Sequence, residues 1–169
     1  MKKTLTFILV LASTNSYCQL EKIYNRPEYS INYPQKWTMD TSKRVAAAIF
    51  FYSPSENPKD DFSENVNILT QDLAGQNIDL ASYKAITEKQ ILTMAVNGKL
   101  IKSALEKTIK GDRYCVEYQM TMNNNDLHIK SLCYIKKDIA YLATFTTKTD
   151  TFDKYNKTGT EILESFRLN

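Results

Sequence analysis

Residues 112–148 read DRYCVEYQMTMNNNDLHIKSLCYIKKDIAYLATFTTK and contain three strand-like stretches joined by two polar turns. Valine, isoleucine, tyrosine, phenylalanine and threonine dominate all three stretches, and these residue types favour a half-buried pleated surface. The first turn lies at NNND (123–126), where Asn and Asp tolerate left-handed backbone, and the second lies at KKD (136–138). The pattern predicts three consecutive antiparallel strands.

Segments on both sides of this meander carry strand and helix signals of their own. Asp79 is a predicted N-cap, followed by apolar residues at helical spacing, and Asn97-Gly98 ends that helix because glycine accepts left-handed backbone. Asp150 is the predicted cap of a second helix, in which Gly159 allows close approach to the sheet. Further strands are predicted over 29–33, 45–52, 64–73 and 100–109.

The order of these elements defines the fold class. Short turns between successive strands imply a mainly antiparallel sheet, and two amphipathic helices need apolar surfaces to cover. We therefore expect an α+β protein, an α/β/α sandwich built on one sheet and flanked by two helices. A length of 169 residues suits one domain.

The first 18 residues have the three-part pattern of a secretory signal peptide. Lys2 and Lys3 precede an apolar stretch over 5–12, which small and polar residues follow. Cleavage after Cys18 would leave a single domain over 19–169, secreted or periplasmic, whereas lipidation of Cys18 would leave a membrane-tethered lipoprotein. No later stretch has the roughly 20 apolar residues of a membrane-spanning helix, so none is expected in the mature form.

Charge argues against nucleic acid as a partner. Without the signal peptide, twenty basic residues face nineteen acidic ones, because both lysines of residues 1–18 are lost. Binding to phosphate backbones needs concentrated positive charge. The nearly neutral domain does not supply it.

Cys115 and Cys133 lie on neighbouring strands of the predicted meander. Outside the cytoplasm a disulfide is permitted, but the apolar alternation aligns the strands so that Cys133 faces inward and Cys115 outward, beside Glu117 and Gln119. A slip of one residue would bring the cysteines to one face and place apolar residues beside Glu117. Two free thiols are therefore favoured over a disulfide.

The chain contains the segments YSINYPQKW (29–37), ENVNILTQDL (64–73) and AYLATFTTKTDTFDKY (140–155) running into EILESFR (161–167). These three segments resemble the PsbP family, which comprises the photosystem II extrinsic subunit and its bacterial relatives. The resemblance covers about 28–167 and implies the α/β/α sandwich shared with Mog and DcrB-like proteins. The positions similar to family motifs, none of them catalytic in the family, are Pro34, Trp37, Glu64, Asn65, Val66, Ser165 and Phe166.

Catalytic signals are weak in this chain. His128 is the only histidine, and strand alternation places Ser131 and Cys133 on the opposite face of its strand, out of hydrogen-bond reach. We interpret His128 as a surface residue. No nucleophile elbow, zinc-binding helix, P-loop or dinucleotide-binding motif occurs, and the chain is not expected to be an enzyme.

The polar segment 53–64 is the predicted surface loop and the one candidate cation site. Asp60, Asp61 and Glu64 could offer oxygens to Ca²⁺, although they lack the regular spacing of a calcium-binding loop. The alternative is a solvated loop without a ligand, and no other cofactor is implied.

Three functions follow as hypotheses. The favoured one is an exported, non-enzymatic module that binds or stabilises a protein partner or an envelope assembly, as the resemblance implies. The second is a binding protein for a cation or small ligand that uses the 53–64 loop, and the third and weakest is a hydrolase. Tyr24, Tyr29 and Tyr52 could line an exposed groove, but ordinary packing is favoured for them.

Overall fold

The computed structural model describes residues 20–42 and 49–169 and contains two helices and ten strands in these ranges. The helices are α1 (Leu80–Thr93) and α2 (Phe152–Ser165). The strands are β1 (Lys22–Asn25), β2 (Tyr29–Tyr33), β3 (Thr38–Asp40), β4 (Ile49–Tyr52), β5 (Asn65–Asp72), β6 (Lys99–Thr108), β7 (Gly111–Met122), β8 (Asn125–Lys136), β9 (Ile139–Lys148) and β10 (Arg167–Leu168).

The predicted meander is confirmed as β7, β8 and β9, joined by two-residue turns. Asn123 and Asn124 form the first turn with φ of 50° and 63°, and Lys137 and Asp138 form the second with φ of 52° and 57°. Paired left-handed residues match the twist of the flanking strands in tight hairpins. Polar turn residues thus fix the register of the strands that they join.

The strands form two antiparallel sheets within the described ranges, where one was expected. The large sheet has the order β3-β4-β5-β9-β8-β7-β6, and a small sheet has the order β1-β2-β10. The small sheet arises because the residues after α2 pair with β2, so that Leu168 lies opposite Tyr29. The predicted strand over 45–52 is present as β4, while 45–48 lie outside the described residues.

The two helices cover opposite faces of the large sheet, which confirms the α/β/α sandwich. On one face α2 and the small sheet enclose a core that includes Phe51, Phe145, Ile162 and Phe166. On the other face α1 encloses a smaller core around Ile91 and Tyr114. The sheet therefore has apolar packing on both sides.

Register keeps the two cysteines apart. Tyr114 lies opposite Cys133, and Cys115 lies opposite Leu132, so the thiols point to different faces and both are free. The expectation that Cys115 faces outward was wrong, because its side chain is half-buried against the core beneath α2. The meander is therefore packed on both of its faces, one against each core.

The helix ends agree in part with the sequence. Asp79 caps α1 by accepting a hydrogen bond from the Ser82 backbone N–H at 2.7 Å. Asn97, with φ of 54°, is the left-handed residue after α1. Gly98 is needed for a different reason, since a Cβ there would lie 2.0 Å from the Ile91 carbonyl oxygen.

The cap of α2 was predicted wrongly. Thr151, not Asp150, is its N-cap, and no side-chain hydrogen bond caps the helix. The Thr151 hydroxyl instead donates to Glu64 Oε1 at 2.8 Å. The start of α2 is thereby tied to the strand that follows the 53–64 loop.

No described helix has the length and apolar composition needed to cross a membrane.

Candidate functional site: an open groove beside α2

An open groove of about 750 Å³ lies beside the first turns of α2. Four separate segments form it: Glu21 before β1, the β2–β3 turn, the start of the 53–64 loop and the first turns of α2. Its lining residues are Glu21, Pro34, Gln35, Lys36, Trp37, Pro54, Ser55, Glu56, Lys154, Tyr155 and Thr158. We call this feature the α2 groove.

The floor of the α2 groove is fixed by the turn after β2. Pro34 ends the strand, and the Trp37 N–H donates to the Pro34 carbonyl at 3.0 Å, which closes the turn. Trp37 is only 5% exposed and belongs to the large core. A buried indole beneath the groove gives it a rigid apolar base.

One wall of the α2 groove is a charged cluster of Glu56, Lys154 and Tyr155. Glu56 Oε1 accepts hydrogen bonds from Lys154 Nζ and from the Tyr155 hydroxyl. The bond from Lys154 holds the pKa of Glu56 below its ordinary value, and burial together with the bond to Glu56 raises the pKa of Tyr155. Lys154 also lies 5.4 Å from the centre of the Tyr155 ring, a cation–π distance.

The predicted metal ligands lie behind this wall and have separate partners. Asp60 accepts from the backbone N–H of Glu56 at 2.9 Å, which shapes the loop. Asp61 accepts from Lys148 at 3.1 Å, and this bond lowers the pKa of Asp61. Glu64 is buried and accepts from Ser53 at 3.1 Å and from Thr151.

These contacts do not gather the three carboxylates around one point. Among residues 20–42 and 49–169, no three histidine, cysteine, aspartate or glutamate residues are grouped as metal ligands. Calcium binding by Asp60, Asp61 and Glu64 stays a prediction. Calorimetric titration with Ca²⁺ tests it, since heat that disappears when Asp60 and Asp61 are both replaced by Asn would support the site.

His128 is not a surface residue, which corrects the interpretation from sequence. It is 6% exposed and lies on the face covered by α2, with its ring stacked on Phe152 at 3.5 Å between centroids and 8° between planes. Its Nε2 is 2.7 Å from Glu117 Oε1. Ser131 and Cys133 lie on the opposite face of β8, as predicted. His128 therefore has a packing environment and no neighbouring nucleophile on its own strand.

Sequence reasoning missed the α2 groove as a site. Of its lining, the sequence singled out Pro34 and Trp37 as positions similar to family motifs, and the 53–64 loop as a candidate cation site. The four segments that line the groove are separate in the chain and meet only through the tertiary fold. Tyr155 and Thr158 are half-buried on α2, and Tyr155 packs against the large core, so the sequence pattern of this helix indicated packing and gave no signal of a groove.

The fold and the groove together define a class of protein: an α/β/α sandwich built on an antiparallel meander, with an open surface groove between α2 and two loops. The family model described as PsbP matches residues 22–168, nearly the whole of the described chain. The chain belongs to the PsbP family, as its sequence motifs indicated.

Solved structures share this fold at low sequence identity. The solution structure of cyanobacterial PsbP from Synechocystis sp. PCC 6803 is similar with a TM-score of 0.64 and 14% identity, over 88% of this chain and 92% of that one. A Pseudomonas aeruginosa protein of unknown function, described as a putative regulator, gives a TM-score of 0.59 and 16% identity, over 84% and 94% of the two chains. LpqN of Mycobacterium tuberculosis, described as involved in cell envelope biogenesis, gives 0.55 and 11%, over 83% of each chain. A search of curated proteins finds no match.

Proposed function

We propose that this protein is an exported, non-enzymatic PsbP-family module that binds a polypeptide segment of an envelope partner in the α2 groove. The observation that carries the proposal is the groove itself, which combines an apolar floor with a charged rim and is open to solvent. A protein partner can offer apolar side chains to the floor and charged side chains to the rim in one extended segment.

The charges of the rim favour a polypeptide over a polyanion. Glu21 and Glu56 contribute two negative charges, and Lys36 and Lys154 contribute two positive charges. Balanced charges give no net attraction for phosphate-rich ligands. They can instead orient a partner that carries both signs, which sets specificity more than affinity.

The rigidity of the α2 groove supports a binding role. Trp37 is held by the core, and Glu56 is held by Lys154, Tyr155 and the backbone contact to Asp60. A preformed site loses little side-chain entropy when it binds. Such a surface suits recognition without a conformational change.

Export is the second part of the proposal. The charged and apolar pattern of residues 1–18 supports a signal peptide, with cleavage near Cys18 or lipidation of that residue. LpqN, which is similar in fold to this chain, is described as involved in cell envelope biogenesis. That description supports the proposal that this protein also acts in the envelope. Mass spectrometry of the protein from its native cells distinguishes a chain that begins at Gln19 from one with a lipidated Cys18.

The absence of catalysis is also proposed. The only histidine is enclosed by Phe152 and Glu117 and lies outside the α2 groove. A panel of ester and peptide substrates, tested on the wild type and on His128→Ala, checks this. Hydrolysis by the wild type that the variant loses would contradict the proposal.

Site-specific crosslinking tests the partner hypothesis. A photo-crosslinking residue at Lys36, on the exposed rim, should capture a defined protein in the native envelope, and the added substitution Thr158→Arg should abolish capture by filling the groove. Leu92→Arg is the matched control, because Leu92 is 60% exposed on α1 and far from the groove in the fold. Equal capture with Thr158→Arg and Leu92→Arg, or no capture at all, would contradict a binding role for the α2 groove.

A further inference from the structure

A small cavity lies between α2 and the large sheet. Its volume is about 140 Å³, which equals about five water molecules at about 30 Å³ each. Strands β6, β7 and β8 form its floor, and the second half of α2 covers it. We call it the α2–sheet cavity. Among the described residues, none lines both this cavity and the α2 groove.

The α2–sheet cavity exists because short side chains lie beneath the helix. Ala104 of β6 lies opposite Cys115 of β7, which lies opposite Leu132 of β8. Cys115 and Leu132 line the cavity from the sheet, and Leu163 of α2 lines it from above. The middle of the cavity is therefore apolar, and it has room for a small aliphatic group.

The charged side chains around the α2–sheet cavity balance one another. Three bases and three acids line it: Lys102, Arg113, Lys130, Glu106, Glu117 and Glu164. Their formal charges sum to zero. A ligand with a net charge would lose its hydration without gaining a net opposite charge, so the lining favours a ligand that is neutral overall.

Two of the three bases already have close partners in the protein. Arg113 donates to Glu106 and, through two bonds, to Glu164. Lys130 donates to a side-chain oxygen of α2 at 2.6 Å. These groups hold α2 on the sheet and shape the α2–sheet cavity.

Lys102 and Glu117 retain capacity for a ligand. They lie directly opposite each other on β6 and β7, yet Lys102 pairs with Glu106 at 2.9 Å, and Glu117 Oε1 lies 2.7 Å from His128 Nε2. The second oxygen of Glu117 is 3.8 Å from Lys130 Nζ, which is beyond hydrogen-bond distance. The Lys102 ammonium has three donors, and its side chain is 51% exposed. An anionic acceptor and a cationic donor thus lie side by side.

We propose that the α2–sheet cavity binds a free amino acid with a small aliphatic side chain. The ligand ammonium pairs with Glu117 Oε2, and the ligand carboxylate pairs with the Lys102 ammonium. Both ligand groups are attached to one carbon, and cross-strand neighbours have Cβ atoms about 5 Å apart, so one small molecule reaches both. The aliphatic group lies in the apolar middle of the cavity. Entry is from the β6 side, because β6 is the last strand of the large sheet and Lys102 is half-exposed there.

A simple anion is the competing occupant, and the lining favours it less. Three carboxylates around the α2–sheet cavity repel an anion, whereas a zwitterion offers an ammonium group to one of them. Its volume also excludes a folded partner or a long peptide. The site is independent of the α2 groove, so failure of one proposal leaves the other standing.

Calorimetric titration of the whole protein with L-alanine and with L-valine tests the proposal. We expect saturable binding of at least one of them. Propionate and ethylamine each carry only one of the two charged groups, and each should bind at least about tenfold more weakly, because a hydrogen bond between charged groups is lost. Lys102→Gln removes the cation at the entrance and should weaken binding of the amino acid by a similar factor.

Cys115→Met is a second variant, which fills the α2–sheet cavity and should abolish binding, with urea unfolding measured to confirm that it is folded. Lys99→Gln is the matched control, because Lys99 is exposed on the same strand as Lys102 and does not line the cavity. Absence of binding by both amino acids would overturn the proposal. Equal affinity for propionate and the amino acid, or wild-type affinity in folded Lys102→Gln or Cys115→Met, would overturn it as well.

Discussion

Gly159 determines how closely α2 approaches the sheet. It is buried, and a Cβ at this position would lie 2.5 Å from Phe145 Cγ and 2.6 Å from both Cδ atoms. The prediction from sequence that this glycine allows close packing is therefore confirmed. The ring below it belongs to a core that cannot shift freely, because protein interiors are close-packed.

Gly159→Ala should destabilise the protein despite the better helix propensity of alanine. Helix propensity favours alanine over glycine by about 1 kcal/mol, whereas overpacking typically costs about 1–3 kcal/mol. Because the added Cβ would lie closer than 3 Å to an aromatic ring, we expect a cost near the upper end of this range. We expect a net loss of about 1–2 kcal/mol in the free energy of unfolding, measured in urea. Phe145→Leu should relieve the overlap, so that the two substitutions together cost less than their sum. An unchanged or higher stability of Gly159→Ala would contradict the prediction.

The two thiols should differ in reactivity. Burial raises the pKa of Cys133 to about 12 and also raises the pKa of Cys115, and only the thiolate reacts. At pH 8 iodoacetamide should label Cys115 slowly in the folded protein and Cys133 only after unfolding in guanidinium. Mass spectrometry reads both positions, and Cys115→Ser should remain unlabelled under native conditions. A disulfide-linked peptide, or rapid labelling of Cys133, would show that the register is different.

At the scale of the elements, Arg113 joins three of them. From β7 it forms a bidentate pair with Glu164 at the end of α2, with both distances 2.9 Å, and its Nε donates to Glu106 of β6 at 2.9 Å. The Arg113 side chain is only 10% exposed, although Glu164 is 46% exposed. Planar, bidentate geometry of this kind cannot be reproduced by lysine.

Arg113→Ala should lower the free energy of unfolding by about 1–3 kcal/mol, since hydrogen bonds to charged groups contribute about that much and two carboxylates lose their shared partner. The partial exposure of Glu164 places the expected value below that of a fully buried pair. Chemical denaturation measures the loss, and Arg113→Lys should restore only part of it. If Glu164→Ala is made in the Arg113→Ala background, the further loss should be small; additive losses would show that the pair does not interact.

The elements differ in how far they were predictable. Alternating apolar residues and polar turns were sufficient for β7–β9, and Asp79 was sufficient for the start of α1, because both signals are local. β1, β3 and β10 have only two to four residues each, too few for their alternation to be recognised; β1 and β3 pair with the next strand in the chain, and β10 pairs with the distant β2. His128 was interpreted as a surface residue, although α2 covers its face of the sheet, because local patterns do not show which strands each helix covers. The α2 groove depends on the meeting of segments that are separate in the chain, which local patterns do not encode.

At the scale of the whole molecule, buried phenols and thiols link stability to alkaline pH. Burial raises the pKa of Tyr29 from 10.0 to about 12 and that of Cys133 from 9.0 to about 12. Burial also raises the pKa of Tyr83, Tyr114, Tyr118 and Tyr141. These residues lie in both layers of the sandwich, so the whole fold disfavours their ionisation.

The protein should therefore unfold more readily as pH rises from about 9 to about 12. Below pH 9 the folded and unfolded chains both retain these protons, and the full stability is present. Above it the unfolded chain releases protons that the folded chain holds, and each such group lowers the free energy of unfolding by up to about 1.4 kcal/mol per pH unit. Urea midpoints between pH 7 and 11 measure the effect, and Tyr29→Phe should give a shallower decline because phenylalanine has no proton to lose. Tyrosinate absorbance that reaches half of its full value near pH 10, with no change in the urea midpoint, would show that the tyrosines ionise in the folded state and that burial does not protect them.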